Sequence, residues 1–361
     1  MSRAASMSIS TFLLILLAAN LAAGQTGTFT CNSTTTTCQS LIDYITPNTT
    51  TTTLSSIQTL FGIRNHRTLL GANNFKPSTS PNTTVSPGQR LRIPFPCSCS
   101  NGVGRSRGRP IYTVQPDDGL SHIADDVFSK LVTYQQIADA NNIANVNLIQ
   151  LGQELYIPLP CSCDDVEGSK VVHYGHMVEP GTSLNIIATT YGTNESTLMK
   201  LNGISVAANL LANVVLDVPL KACSSSIGND SLDSDLLVSN GTYVYTANNC
   251  VKCKCEAANN YTLQCEASQV NASRSATCQS MQCQASSKSV SLGEELSSAN
   301  ACNQTCAYAG YTSQTILTAL VPDTSCTASP DGNAPSSAPR SHFFKNFLLA
   351  TLAILCLHLL Q

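Results

Sequence analysis

The 361-residue sequence predicts an α+β fold: three tandem βααβ modules followed by a small cysteine-rich domain. Three observations carry that prediction. Residues 111–163 read strand, helix, helix, strand; the same frame occurs three times; and ten cysteines crowd residues 223–326, where helical periodicity fades.

In the middle copy, Tyr112-Thr113-Val114 is a short β-branched and aromatic run, and a turn follows at 115–119. Apolar residues at Leu120, Ile123, Ala124, Val127 and Phe128 then bury one face of a helix. A second helix holds Leu131, Tyr134, Ile137 and Ala138 and stops at Asn141-Asn142, a residue type suited to a left-handed C-terminal turn. Leu155-Tyr156-Ile157 is a strand halted by Pro158.

Copy one repeats this with Leu54-Ser55-Ser56-Ile57, Gly71-Ala72-Asn73-Asn74 and Leu91-Arg92-Ile93-Pro94. Copy three has Pro180-Gly181-Thr182-Ser183-Leu184, Leu201-Asn202-Gly203 and Val218-Pro219-Leu220. Internal repeats of this length mark stacked supersecondary units. Cys97-Ser98-Cys99 and Cys161-Ser162-Cys163 separate the copies. Frame, spacers and cysteines together resemble the LysM domain family, in the three-copy form of plant LysM receptor ectodomains.

That resemblance implies modules at 41–96, 111–159 and 173–220 after an N-terminal cysteine segment at 25–40. It also implies the inter-module disulfides Cys31–Cys99, Cys38–Cys163 and Cys97–Cys161; the residues alone leave fifteen pairings of six cysteines open. Ala247-Asn248-Asn249-Cys250 and Cys306-Ala307-Tyr308 resemble the membrane-proximal region of plant GPI-anchored LysM proteins of the chitin elicitor-binding type. The region 223–326 then reads as a spacer or a co-receptor contact.

The two ends speak for an extracellular chain. Residues 1–24 carry Arg3, an apolar core and the small exit Ala22-Ala23-Gly24, the pattern of a secretory signal peptide. Residues 327–361 carry small residues around Asn333, a polar spacer and an apolar terminus, the pattern of GPI attachment at Asn333 with the tail removed. Of 17 cysteines, Cys356 lies in that tail, leaving an even number to pair. A zinc site at Cys250, Cys253 and Cys255 is the lesser reading, and no metal or cofactor is expected. N-glycosylation sequons start at Asn32, Asn48, Asn82, Asn194, Asn229, Asn240, Asn260, Asn271 and Asn303.

Net charge is only −3, yet residues 25–110 sum to +7 and residues 111–163 to −5. Either the two faces dock adjacent modules, or Arg105, Arg107 and Arg109 grip anionic wall pectin. Nucleic acid is excluded by compartment. No catalytic residue emerges. Asp117/Asp118 and Asp125/Asp126 are adjacent pairs that cannot flank a cleft as glycosidase carboxylates do. His122, His173 and His176 stand apart from any hydrolase or metalloprotease motif and read as surface groups.

The LysM resemblance implies a chitin-binding groove between two loops of copy two. One supplies Gln115, Pro116, Asp117, Asp118, Gly119 and Leu120, and the other Ile143, Ala144, Asn145, Val146, Leu148 and Ile149. An uncharged N-acetylglucosamine ribbon needs backbone polar groups and small apolar contacts, and the absence of Trp is no obstacle. Ile143 and Leu148 are the residues expected to plug the core instead. Gly119 falls later than the family's glycine and is expected to alter the turn. Copy two has no sequon, whereas Asn48 sits in the first groove loop of copy one, so the expected order of use is two, three, one.

The function implied is a receptor subunit for chitin oligosaccharides in plant innate immunity. It would lie on the plasma membrane's outer leaflet, or at plasmodesmata, and signal through a transmembrane LysM receptor kinase. A long oligomer could bridge two subunits. A peptidoglycan-binding LysM receptor, a non-signalling wall lectin and a regulator of plasmodesmal flux remain the alternatives.

Overall fold

The computed structural model describes residues 29–33, 37–48, 51–270, 278–285, 288–297 and 302–322. The signal peptide, the Asn271 sequon, Asn333 and the apolar terminus lie outside the described residues.

Three units share the order strand, helix, helix, strand. The first comprises β1 (Phe29–Thr30), β2 (Cys38–Ile45), β3 (Thr52–Thr53), α1 (Leu54–Leu60), α2 (His66–Ala72), β4 (Thr84–Val85), β5 (Arg90–Ser100) and β6 (Val103–Ser106). The second comprises β7 (Ile111–Thr113), α3 (Leu120–His122), α4 (Tyr134–Ala140) and β8 (Glu154–Tyr156). The third has β9 (Val171–Met177), α5 (Leu184–Tyr191), α6 (Glu195–Leu201) and β10 (Val215–Lys221). Outer strands of the first and third units overrun the expected 41–96 and 173–220, because they keep pairing beyond the module frame, as at Cys38↔Cys97 and Lys221↔Val171. The helix expected over 120–128 widens after His122 into a π-turn at Ile123–Val127, where Phe128 N–H reaches Ile123 C=O at 3.0 Å.

The repeat persists at the level of single hydrogen bonds. Side chains of Thr53, Asn65, Thr133, Ser183 and Asn194 cap α1, α2, α4, α5 and α6. At the end of each second helix one asparagine ties the helix to the unit's last strand. Asn141 Nδ2 donates to Ile137 O (2.8 Å) and Tyr156 O (2.7 Å), while its Oδ1 accepts from Tyr156 N (2.8 Å). Asn73 does the same with Leu69 and Arg92, and Asn202 with Leu198 and Asp217. The next residue is left-handed each time: Asn74 (φ 52°), Asn142 (φ 55°) and Gly203 (φ 62°).

The first and third units are fused by one six-stranded sheet, ordered β1-β6-β5-β2-β9-β10. Its seam is a short parallel pairing, Leu41↔Tyr174 and Ile42↔Gly175. Gly175 is required there, since a Cβ would lie 2.9 Å from Ile42 Cγ1 and 3.0 Å from Val215 Cγ1.

The second unit docks through apolar contact rather than charge. Edge-to-face rings run Tyr44–Phe61 (5.0 Å), Phe61–Phe128 (5.7 Å) and Phe128–Tyr112 (5.9 Å), joining both units in one core. Among the described residues no ion pair links the basic first unit to the acidic second, so the opposite charges do not dock them. Disulfides Cys31–Cys99, Cys38–Cys163 and Cys97–Cys161 close the junction.

The cysteine-rich region builds small sheets: β11 (Thr242–Thr246), β12 (Val251–Cys255) and β13 (Gln264–Ala267); β14 (Gln282–Gln284) and β15 (Ser289–Ser291); then β16 (Glu295–Leu296), β17 (Gln304–Tyr311) and β18 (Ile316–Pro322). Disulfides Cys223–Cys255, Cys250–Cys278, Cys253–Cys265 and Cys283–Cys306 hold them, so Cys250, Cys253 and Cys255 are not zinc ligands. β11 lies on α2, where Tyr243 OH donates to Phe75 O at 2.7 Å.

Candidate functional site

In the second unit, Val114 N–H donates to Gln153 O and Gly152 N–H to Val114 O, each at 2.9 Å, which sets the loops after β7 and before β8 side by side. Units one and three repeat this bridge at Thr46/Gln89/Gly88 and Val178/Val214/Asn213.

The first loop is locked from within. Asp118 Oδ2 accepts from Tyr112 OH (2.8 Å) and from Gln115 N (2.7 Å), so its side chain is almost wholly buried. Burial, and then the Asp118 carboxylate, push the Tyr112 hydroxyl well above its ordinary pKa, keeping it a donor. The turn is not altered by the late glycine. Asp117 takes the left-handed position (φ 66°) that Gly181 holds in unit three (φ 81°), a conformation Asp tolerates better than most residues. Gly119 instead sits at the N-cap of α3, without a side-chain cap.

In the second loop Ile143, Val146 and Ile149 rest partly buried against the core. Leu148 is not a core plug: it is 71% exposed, and Leu151 is 70% exposed. The local cause is an Asx turn, in which Asn147 N donates to Asn145 Oδ1 (3.1 Å) and Leu148 N to Asn145 O (3.0 Å), turning Leu148 outward. The pair of loops is thus the candidate trough: it carries two exposed leucines, exposed polar residues at Gln115, Asn145 and Gln150, and the exposed Asp117. Gln150 and Leu151 are loop residues that the sequence-derived site omits; for Leu151 the signal was an apolar residue directly before the Gly152 turn.

Unit one differs. β3 and β4 pair across its two loops, Thr52↔Val85 and Thr53↔Thr84, and the Asn48 side chain lies against Gly88. In unit three, exposed Asn194 caps α6 through its Oδ1.

The histidines correct the surface reading. His173 and His176 lie on β9, an interior strand of the six-stranded sheet, and are only 2% and 8% exposed. His173 Nδ1 meets Asp217 (2.9 Å), and Nε2 meets Asp164 O (2.8 Å). Burial alone would lower its pKa, but the Asp217 charge and hydrogen bond prevail and raise it. His176 Nδ1 meets Asp43 Oδ2 (2.9 Å), which also takes Arg90 and Met177 N (3.0 Å), while Asp43 Oδ1 takes Tyr174 OH. Burial, then the Arg90 charge, push His176 down to about 4. These are structural pairs across strands of the six-stranded sheet. His122 is exposed, beside Asp126 (2.9 Å). Two groups of three sulfurs lie close enough for a metal, but all belong to disulfides.

The LysM domain profile matches residues 112–158 and 176–219. "LysM domain-containing GPI-anchored protein 2" of Arabidopsis thaliana is 46% identical over 94% of this chain and 94% of its own length. The chain belongs to the family of LysM domain-containing GPI-anchored proteins. Another relative, the "Chitin elicitor-binding protein" of Oryza sativa subsp. japonica, is 40% identical over 85% of this chain and 84% of its own. The solved ectodomain of a receptor like kinase is 24% identical and covers 52% of this chain and 94% of its own, with a TM-score of 0.43. In this LysM protein no helix among the described residues is long and apolar enough to cross a membrane.

Proposed function

We propose that the chain is a cell-surface receptor subunit that holds chitin oligosaccharides in the trough of the second unit and signals through a transmembrane LysM receptor kinase. One observation carries the reading: a relative named for binding a chitin elicitor aligns along most of the chain. The trough supports it. Loop amides and amide side chains suit the acetamido groups and hydroxyls of a neutral sugar ribbon, and Leu148 and Leu151 offer aliphatic contact.

The first unit is a LysM module too, sharing the asparagine tie and the loop bridge, but a glycan on Asn48 would fill its trough. The cysteine-rich region lifts the three units off the membrane, and a GPI anchor at Asn333 holds the chain on the outer leaflet. Lacking a cytoplasmic part in that arrangement, the subunit needs a kinase partner. One long oligomer in two second-unit troughs gains affinity through effective concentration.

Calorimetric titration of the glycosylated ectodomain with chitin octamer tests this. Leu148→Asp, at an exposed position, is expected to weaken binding about tenfold, roughly 1.4 kcal/mol, with thermal stability unchanged. Undiminished affinity in that variant, or octamer density on the first unit, overturns the site. Octamer-dependent co-precipitation of a receptor kinase tests the partner.

A further inference from the structure

The arginine run is split by the fold. Arg109 lies over the first unit's helices, where a Cβ on Gly62 would come 3.0 Å from its Nη1. Arg105 and Arg107 instead share one face of the β5–β6 hairpin. Side chains alternate along a strand, so residues two apart project together, about 6.8 Å from one another. Ser98 faces Arg105, Ser100 faces Val103, and Arg107 N donates to Pro96 O at 2.8 Å. The opposite face, with Cys97, Gly104 and Ser106, is buried.

This outer face borders a groove of about 450 Å³ whose lining includes Ser98, Ser100, Asn101, Arg105, Arg107 and Tyr156, with Val103 as an apolar member. Both arginines are exposed, and among the described residues neither has a carboxylate within ion-pair distance. The platform is stiff: Cys97–Cys161 and Cys31–Cys99 pin the hairpin, and Tyr156 OH donates to Ser106 O. On that stiff backbone, unpaired guanidinium forks beside hydroxyl and amide side chains and a tyrosine ring suit a ligand that carries carboxylates on hydroxylated rings.

We propose that this face is a second carbohydrate site, taking carboxylated polysaccharides of the polyuronate class. It is separate from the trough and does not rest on the chitin reading.

The test is titration of the glycosylated ectodomain with a galacturonic acid octamer at low and at raised salt. Binding that weakens with salt is expected. Arg105→Gln with Arg107→Gln should reduce affinity at least about tenfold, and the Lys double variant should recover only part of it, because an ammonium cannot make the bidentate contact. Melting temperature and chitin-octamer affinity should not change in either variant. Uronate binding that survives the Gln double substitution overturns the proposal. So does equal binding of polyglutamate, which signals bare charge attraction, or a preference for anionic phospholipid vesicles that the octamer does not displace.

Discussion

His173 and His176 lie three residues apart on one strand, yet they respond to pH in opposite senses. The raised His173 pKa stabilises the fold below the unfolded value near 6.5, and that contribution is lost as pH rises through the folded value. His176, depressed to about 4, costs nothing above 6.5 and withdraws stability as pH falls towards 4. The loss at pH 4 is on the order of 3 kcal/mol. His176→Gln is therefore expected to flatten the fall in melting temperature between pH 6.5 and 4. Parallel profiles for wild type and His176→Gln would refute this. Neither burial was legible in the sequence, because the acidic partners stand far away: Asp43 is 133 residues from His176. A signal was present, however. Asp43 and Asp217 are lone carboxylates inside apolar strand runs, where an unpaired charge is costly.

The helices and turns were the most readable elements, since local chemistry decides them. Asn141-Asn142 announced a left-handed turn, and that is what forms. What the doublet could not announce was that Asn141 would span to Tyr156, because that partner is chosen by packing. Asn141→Ala leaves the Tyr156 amide and carbonyl without that partner and should cost about 2 kcal/mol. The variant should also weaken chitin-octamer binding by loosening β8 beside the trough; thermal unfolding and titration of one sample measure both. A melting temperature equal to wild type would show the tie to be dispensable. The π-turn in the second unit was illegible for the opposite reason. Its apolar spacing fits an α-helix, and only the backbone bond from Phe128 N–H to Ile123 C=O distinguishes the wider winding.

At the scale of the molecule, repetition disclosed three units and concealed how they join. Beads linked by spacers and a fused sheet have the same periodicity, and the parallel seam occupies only Leu41, Ile42, Tyr174 and Gly175. Gly175→Val drives a side chain into Ile42 and Val215 and is expected to cost about 1–3 kcal/mol. Limited proteolysis should then cleave between units one and three more readily, while the trough keeps its ligand because unit two is held by rings and disulfides. Unchanged protease resistance would count against the seam. The seam also dictates a timetable. A chain emerging from the ribosome completes β2 and β5 long before β9 exists, so one border of β2 stays bare while the whole second unit is made. Such distant closure is slow and exposes sticky backbone. A nascent chain halted before residue 171 is therefore the form most prone to self-association.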